Sequence, residues 1–429
     1  MKTIVLTLGL FSLVLMACAG LPAPFGAATQ TPTSAPTATI AVEPITTKVP
    51  SPEPEGPMVL RIWVPPQFDP ASGRPAGALL QARLDEFKSR RSGVGVEVRV
   101  KAETGSGGLL DSLSTANSAA PLALPDLVLL PRGELEIAAI KGLLFPHEDL
   151  TNNLDGGDWY PYAEQLARLQ NSVFGLPFAS DGLLLAYRPA DVPQPPGDWE
   201  SALGVAAPLI FPAADESALH TLIQYLATGA KIQDEEGRPV LDSQALTQVL
   251  SFYQQAQTAG VMPFWLTQYS NDDQAWEAYT QKGGNLVITW ISRYLGELPG
   301  DTAAAPLPTQ DGEVFTLVNG WVWALSNPQI ERHALSVELA DFLTSGDFLA
   351  KFTETGGYLP QRASALAGWS NPALKSLIGE IVNAAQVLPP ADVLTVLSPA
   401  FHQATIEVLK DQADPATAAQ QASQGLANP

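Results

Sequence analysis

The sequence has 429 residues, 46% of them hydrophobic, and contains a single cysteine. This length is beyond the size at which one hydrophobic core stops growing, so two lobes or domains are expected, and a lone cysteine excludes an internal disulfide. The 44 acidic and 23 basic residues give a net charge of -21, which argues against binding to nucleic acid or to anionic lipid surfaces.

The first 18 residues have the features of an export signal. Lys2 precedes an almost wholly apolar run over residues 3–17, which has the length of a signal-peptide core and is too short to span a membrane. The run ends in Leu15-Met16-Ala17-Cys18, which resembles a bacterial lipobox, where the cysteine thiol takes a diacylglycerol and becomes the new amino terminus. We therefore expect a lipoprotein signal peptide over residues 1–17, lipidation of Cys18, and a protein anchored in the cell membrane that faces outside the cytoplasm. An ordinary secretory signal with an incidental cysteine is the alternative.

The segment over residues 18–57, which begins with the lipidated cysteine, is predicted to be a tether. From Leu21 onward it is rich in proline, threonine and serine and shows no hydrophobic periodicity. Such a segment cannot bury enough apolar surface to offset its ordering entropy. No later stretch reaches the about 18 uninterrupted apolar residues that a membrane-spanning helix needs.

The next segments alternate between strand and helix patterns. Valines at every second position from Val94 to Val100 indicate a strand, and a proline-flanked apolar run over 125–131 indicates a buried parallel strand. Alternation of this kind predicts βαβ units and a parallel sheet covered by helices. The predicted strands are 58–64, 94–100 and 125–131, and the predicted helices are 76–91, 109–116 and 133–141.

Later segments continue the mixed pattern. Residues 284–290, 314–318 and 321–325 are strand-like. The predicted helices are 245–259, 270–282, 330–344 and 347–353, followed by a mostly helical tail over 371–424 that is broken at Pro389-Pro390 and at Pro399.

Several of these segments, in this order, resemble the extracellular solute-binding proteins of ABC importers, the maltose-binding-like family. The resemblance spans about residues 59–362. The stretches that carry it are Leu84-Asp-Glu-Phe-Lys88, Gly93-Val-Gly-Val-Glu-Val-Arg-Val100, Pro125-Asp-Leu-Val-Leu129, Lys141-Gly-Leu-Leu-Phe-Pro146, the run from Phe174 to Tyr187, Gly284-Asn-Leu-Val-Ile-Thr-Trp290, Asn319-Gly-Trp-Val-Trp-Ala-Leu-Ser326, Ala340-Asp-Phe-Leu-Thr-Ser345, and Thr355-Gly-Gly-Tyr-Leu-Pro360 with Arg362.

The resemblance implies a two-lobed α/β fold of the periplasmic-binding-protein type. Each lobe is expected to be a mainly parallel sheet flanked by helices, and a multi-strand hinge joins them with the ligand in the cleft between. We place the crossings near 178–181, 306–308 and 345. The expected N-terminal lobe is 58–180 plus 306–345, and the expected C-terminal lobe is 181–305 plus 346–429.

Aromatic side chains at strand ends are the main candidates for ligand contact. A sugar presents C–H faces that pack on aromatic rings and hydroxyls that need polar partners. Trp63 and Trp290 each end a strand, Trp321 follows Asn319-Gly320, and Tyr358 lies in a Gly-Gly loop. Packing into a lobe core is the alternative for each, and family members often place a stacking aromatic at the position of Trp290.

The polar candidates for ligand contact are Asp181, Arg132 and Asn319, with Gln67 as a weaker one. Asp181 lies in the hinge run, where its carboxylate could accept hydrogen bonds from sugar hydroxyls or from the other lobe. Arg132 follows the strand over 125–131, at a position that faces the cleft in this fold. The loop over 65–69 lacks the aromatic-rich run that is common there in sugar binders, so the ligand class stays open.

The sequence gives little sign of catalysis. The pairs Glu134/Glu136 and Asp272/Asp273 are spaced so that they do not face each other on a helix. The four histidines are scattered, and no zinc helix, nucleophile elbow or phosphate-binding loop occurs. We expect no metal and no cofactor, and a binding protein that delivers a sugar or oligosaccharide to ABC permease subunits. The alternatives are another solute (a polyamine, or a phosphorylated or carboxylated one), a surface glycan-active enzyme, and a sensor or scaffold subunit.

Overall fold

The computed structural model describes residues 58–147 and 150–427. The signal peptide, Cys18 and the tether therefore lie outside the described residues. Among the described residues, no helix is long and apolar enough to span a membrane.

The strands, numbered in chain order, are β1 (Met58–Val64), β2 (Val94–Val100), β3 (Leu127–Pro131), β4 (Arg168–Leu169), β5 (Ser172–Val173), β6 (Gly175–Tyr187), β7 (Leu209–Ile210), β8 (Leu286–Trp290), β9 (Ala303–Ala305), β10 (Thr316–Leu325) and β11 (Ala385–Val387). The helices are α1 (Pro75–Arg90), α2 (Leu109–Ala119), α3 (Arg132–Ile140), α4 (Pro161–Ala167), α5 (Trp199–Leu203), α6 (Leu219–Ala227), α7 (Ser243–Thr258), α8 (Asp272–Thr280), α9 (Ile291–Glu297), α10 (Ile330–Leu343), α11 (Gly346–Gly356), α12 (Ala363–Ala367), α13 (Pro372–Ala384), α14 (Ala391–Leu409) and α15 (Pro415–Ala427).

One sheet has the strand order β2-β1-β3-β10-β6-β8-β7, with β11 beside β10 and β9 beside β6. The pairs β1/β2, β1/β3, β7/β8 and β10/β11 are parallel. Strand β10 is antiparallel to β3 and to β6, and β6 is antiparallel to β8 and β9. Strand β3 is apolar and buried over its whole length, as expected for a strand covered on both faces.

Strand β6 divides the sheet into two halves. Residues 175–182 pair with β10, and residues 183–187 pair with β8 and β9. We call the part that contains β1, β2, β3 and β10 the first half, and the part that contains β7, β8 and β9 the second half. The chain returns to the first half between β9 and β10.

The helices are distributed between the two halves differently from the sequence prediction. Helices α10 and α11 pack against α1, α12 packs against α11, and α13 packs against α12, so residues 346–384 lie with the first half. Of the helices that follow β10, α14 and α15 pack against α7 in the second half. The sequence prediction assigned all of 346–429 to the C-terminal lobe and placed a crossing near residue 345. In the structure β11 pairs with β10 of the first half, and the next helix, α14, packs against α7 of the second half.

Two interruptions predicted from the sequence, one within a strand and one within a helix, do not occur in the structure. The strand-like segments 314–318 and 321–325 form one strand, β10, with a register shift between Trp321 and Val322. Pro399 lies inside α14 and does not end it. Gly320, which lies between the two predicted segments, is within β10, where an added Cβ would stand 2.4 Å from Leu166 Cδ1. Gly320 is therefore a close-packing position.

The halves also touch through helices. Gly357 ends α11 with a φ of 75°, a left-handed conformation that favours glycine. An added Cβ on Gly357 would lie 3.1 Å from the Ser292 carbonyl oxygen and 3.2 Å from the Gly296 amide nitrogen, both on α9 of the second half. The contact between α11 and α9 closes one side of the space between the halves.

Candidate functional site

A cavity of about 690 Å³ lies between the two halves and is called the cleft below. Its volume falls within the roughly 300–1,000 Å³ of small-molecule sites. Asp181, on β6 where the strand changes partners, lies at the junction of the halves. The first half contributes Gln67, Arg74, Pro75, Ala76, Glu103, Asn319, Trp321, Thr355, Gly356 and Tyr358, and the second half contributes Asp272, Trp290, Ser292, Arg293, Gly296 and Glu297.

Aromatic rings form the wall of the cleft in the first half. The ring of Trp321 lies edge-on to those of Phe68 and Tyr358, at centroid distances of 5.1 and 5.8 Å. Phe68 and Tyr358 are in turn 5.2 Å apart. Trp321 and Tyr358 are mostly buried by these contacts, so this wall is a rigid, preformed surface. Trp290, on the opposite half, is only half-buried.

Asp181 links β6 to the second half. Its Oδ1 accepts hydrogen bonds from the backbone N–H groups of Gly182 and Ser292, each at 3.0 Å, and its Oδ2 accepts one from the Ser292 hydroxyl. Burial raises the pKa of the Asp181 carboxyl to about 7, against the opposing effect of these hydrogen bonds and with a smaller contribution from the charge of Asp272. The carboxyl therefore changes its protonation near neutral pH.

A second carboxylate, Glu103, is held against the aromatic wall. Its Oε2 accepts hydrogen bonds from the amide of Gln67 and from the indole Nε1 of Trp321, the latter at 3.2 Å. These donors fix the carboxylate at the surface of the cleft. A fixed carboxylate oxygen of this kind can accept a further hydrogen bond from a ligand hydroxyl.

The charged groups from the second half are paired with one another. Arg293 on α9 lies 3.2 Å from Asp272 and 3.5 Å from Glu297, and it also contacts Asp273. Thr289 donates a hydrogen bond of 2.7 Å to the other oxygen of Asp272. Three carboxylates share the Arg293 guanidinium, so the second half offers oriented hydrogen-bonding groups with an excess of negative charge.

Five of the seven ligand-binding residues predicted from the sequence line the cleft: Asp181, Trp290, Asn319, Trp321 and Tyr358. Asn319 and Asp181 are directly opposite each other in the β10/β6 pairing. Gln67 also lines the cleft. The structure thus brings together residues that lie far apart in the sequence.

Arg132, predicted to face the cleft, is not among the residues that line it. Helix α3 starts at Arg132 itself, directly after β3, which leaves no loop to carry the side chain into the cleft. The guanidinium forms an ion pair of 2.8 Å with Glu136 and donates to the carbonyl oxygens of Gln165, Leu166 and Arg168 at 2.7–2.9 Å. Arg132 therefore joins α3 to the end of α4.

Trp63 also lies outside the cleft lining. Its side chain is buried in the core of the first half, and Lys101 lies 5.0 Å from the ring centroid. The core alternative for Trp63 is the one that the structure supports. Cys18, the predicted lipidation site, lies outside the described residues.

Glu103, Arg74 and Arg293 also line the cleft and were not predicted from the sequence. Glu103 follows the end of β2, so the strand-end rule that selected Trp63 and Trp290 applied equally to it. Arg293 follows Trp290 by three positions, on the first turn of α9. The described residues contain no cluster of three or more histidine, cysteine, aspartate or glutamate side chains that could hold a metal ion.

The comparisons with known proteins agree with this geometry. Residues 82–376 match the family model described as bacterial extracellular solute-binding protein. Curated protein sequences give no match.

Three solved structures illustrate the fold similarity. The sugar-binding protein MalE from Xanthomonas citri is 19% identical, with a TM-score of 0.72 over 86% of this chain and 98% of that one. The cyclic alpha-maltosyl-1,6-maltose binding protein from Arthrobacter globiformis is 16% identical, with a TM-score of 0.72 over 86% and 98%. An ABC transporter solute binding protein from Thermotoga lettingae, bound with alpha-D-tagatose, is 22% identical, with a TM-score of 0.65 over 86% and 98%.

These similarities confirm the predicted two-lobed α/β fold of periplasmic binding proteins. They come from proteins that bind solutes rather than transform them, and the family description places its members outside the cytoplasm. The chain belongs to the bacterial extracellular solute-binding protein family.

Proposed function

We propose that this protein captures a neutral sugar or oligosaccharide in the cleft and delivers it to the membrane subunits of an ABC importer. The observation that carries the proposal is the composition of the cleft. Trp290 and Trp321 face a space that also contains hydrogen-bonding groups of Asp181, Glu103 and Asn319. Aromatic faces combined with oriented polar groups suit a ring with apolar C–H faces and many hydroxyls.

The charge pairing favours a neutral ligand over the other solutes considered from the sequence. A polyamine would need carboxylates that are free to bind it, but Asp272 and Glu297 are paired with Arg293, and Glu103 accepts two side-chain hydrogen bonds. A phosphorylated or carboxylated solute would need an excess of cations, but among the described residues the lining has only two, Arg74 and Arg293. They are outnumbered by its acidic side chains, which are Glu103, Asp181, Asp272 and Glu297, and this excess of negative charge opposes an anion. The structural neighbours support the same choice, because their names refer to maltose-type sugars and to tagatose.

Capture would proceed by closure of the two lobes. A ligand in the cleft contacts both halves, so it binds a closed arrangement more tightly than an open one and shifts the population toward closure. We propose that residues 58–180 and 316–387, with the helices they contain, form the N-terminal lobe. Residues 181–305 and 391–427 form the C-terminal lobe. The packing of α11 on α1 and of α14 on α7 supports this division.

Binding of sugars tests the proposal directly. Glucose, maltose, maltotriose, maltotetraose and tagatose would be titrated into the purified protein and followed by calorimetry and tryptophan fluorescence. Trp290→Ala should weaken binding by more than about 1 kcal/mol, the contribution of one aromatic contact. Trp265→Ala is the matched control, because Trp265 is also half-buried but packs against Tyr269 and does not line the cleft. A wild-type protein that binds none of these sugars would remove the sugar assignment.

The anchoring part of the proposal rests on the sequence around Cys18. Lipid on this cysteine would hold the protein at the outer membrane surface, next to the importer that it serves. Cys18→Ser should move the protein from the membrane fraction to the soluble extracellular fraction of cells that express it. Equal membrane association of the variant and the wild type would contradict lipidation at this position.

A further inference from the structure

A second, smaller cavity adjoins the cleft in the second half and is called the side cavity below. It measures about 210 Å³ and shares Asp272 and Trp290 with the cleft. Its volume is below the roughly 300–1,000 Å³ of an independent small-molecule site. The side cavity is therefore suited to hold one end of a ligand whose remainder lies in the cleft.

His220 lines the side cavity as an unpartnered polar group. Only 6% of the residue is exposed, and neither ring nitrogen has a hydrogen-bond partner among the described residues. Its ring lies 4.7 Å from that of Phe211 and stacks at 6.0 Å against Tyr253, and these contacts fix the orientation of the imidazole. A buried group without a partner is unfavourable, so an orphaned, rigidly held imidazole at a cavity wall indicates a site that a ligand completes.

The backbone around His220 adds to this indication. Helix α6 begins without a side-chain cap, and the preceding residue, Ala218, has a φ of 49°, which is unusual for a residue other than glycine. The strain sets the start of α6 and places Ser217, Leu219 and His220 together at the cavity wall. The uncapped start of a helix presents N–H donors to a ligand.

The rest of the lining defines the ligand chemistry. Carboxylates of Asp215 and Asp272 supply acceptors that oppose binding of an anion, and Asn271 can both donate and accept. Leu183, Ile288 and Trp290 supply an apolar surface. Donors, acceptors and an apolar face in one small space suit a neutral, hydroxyl-bearing ring.

We propose that the side cavity is a second saccharide subsite, in which His220 forms a hydrogen bond with a hydroxyl of the terminal ring. Trp290, which borders both cavities, lies between this ring and the ring bound in the cleft. The inference rests on the proposed function and deepens it. The protein would then bind sugars of at least two units, and His220 would recognise the terminal unit.

The test compares sugars of increasing length in wild-type protein and in His220→Phe. Glucose, maltose, maltotriose and maltotetraose would be titrated calorimetrically. In the wild type, sugars that are one and two units longer than the shortest sugar that binds should bind more tightly than that sugar. His220→Phe should reduce this increase in affinity on the order of tenfold, since one buried hydrogen bond is lost, and should change the affinity for the shortest sugar less than about twofold.

Two further variants test whether the effect of His220→Phe comes from the loss of the hydrogen-bonding groups of the imidazole. His220→Gln keeps a hydrogen-bond donor and an acceptor and should retain most of the increase in affinity with sugar length. His402→Phe, on α14 and outside both cavities, should bind every sugar as the wild type does. Thermal unfolding would establish that each variant is folded.

A measurement on the wild type keeps the test decisive if His220→Phe does not fold. In protein labelled with ¹⁵N-histidine, the ring signal that is missing from His220→Gln identifies His220 among the four histidines of the sequence. This signal should move when a longer sugar is added and should stay in place with the shortest one. An unmoved signal, or a rise with length that is unchanged in His220→Phe, would overturn the subsite. If tagatose binds the wild type but no sugar of this series does, the subsite alone fails. If none of these sugars binds, the proposed function fails, and the subsite fails with it.

Discussion

Replacement of Asp181 by asparagine should remove a pH dependence of folding stability that the structure assigns to this one carboxyl. Asp181 is buried at the junction of the two halves, and its pKa is raised from 3.8 to about 7, chiefly by burial. In the unfolded chain the carboxyl is ionised above about pH 4. Between those values the folded state therefore binds one more proton than the unfolded state, and stability falls as pH rises.

The magnitude follows from the two pKa values. With the folded-state pKa at about 7, the Asp181 carboxyl alone should lower the free energy of unfolding by about 2–3 kcal/mol between pH 5 and pH 8. Asparagine has nearly the same shape and can still accept the hydrogen bond from the Ser292 amide, which is 3.0 Å long. The stability of Asp181→Asn relative to the wild type should therefore increase by that amount over the same pH range.

Urea unfolding followed by tryptophan fluorescence at pH 5, 6, 7 and 8 measures this difference. Subtracting the wild-type curve from the variant curve cancels the other titrating groups, among them Glu134, whose pKa burial also raises to about 7. The control is Asp198→Asn, because hydrogen bonds from Ser201 hold the pKa of this exposed carboxyl below its usual value. Asp198 stays ionised across the range, so the free energy of unfolding of Asp198→Asn should change with pH in parallel with that of the wild type. A constant difference between Asp181→Asn and wild type from pH 5 to pH 8 would refute the reasoning.

Two predictions concern residues outside the cleft. Asp126 is fully buried and paired with Arg332 at 2.6 Å, so Asp126→Ala should lower the free energy of unfolding by about 3–5 kcal/mol in a urea titration, because it leaves a guanidinium without its partner; a loss below about 1 kcal/mol would contradict this. Arg132→Gln should lower the melting temperature, since Arg132 holds the end of α4, and should leave sugar affinity unchanged. A loss of affinity without a loss of stability would return Arg132 to the ligand site.

Local patterns were sufficient for β1, β2 and β3 in the first half. The alternating valines of β2 and the proline-flanked run of β3 appear in the structure as predicted, because both patterns reflect burial within a few residues. Pro399 was misjudged because a proline ends a helix only where the lost hydrogen bond is not offset by packing, and α14 packs along α7, α6 and α15.

The site was less accessible from the sequence because the position of a side chain depends on distant neighbours. Trp63 and Trp290 have the same sequence signature, a tryptophan at a strand end, yet one is buried in a core and the other borders the cleft. The difference arises from which elements cover each strand end. His220 gave no signal in the sequence, since its lack of a partner is visible only when Phe211, Tyr253 and the side cavity are in place.

The path of the chain has a consequence for biogenesis. The first half includes β11, which pairs with β10, and the second half includes α14 and α15, so each half needs segments made late in synthesis. Neither half can reach its native packing on the ribosome before almost the whole polypeptide has emerged. A chain with this order of segments completes its native tertiary structure late in translation, and an incompletely folded chain is the state that secretion through a narrow translocation channel requires.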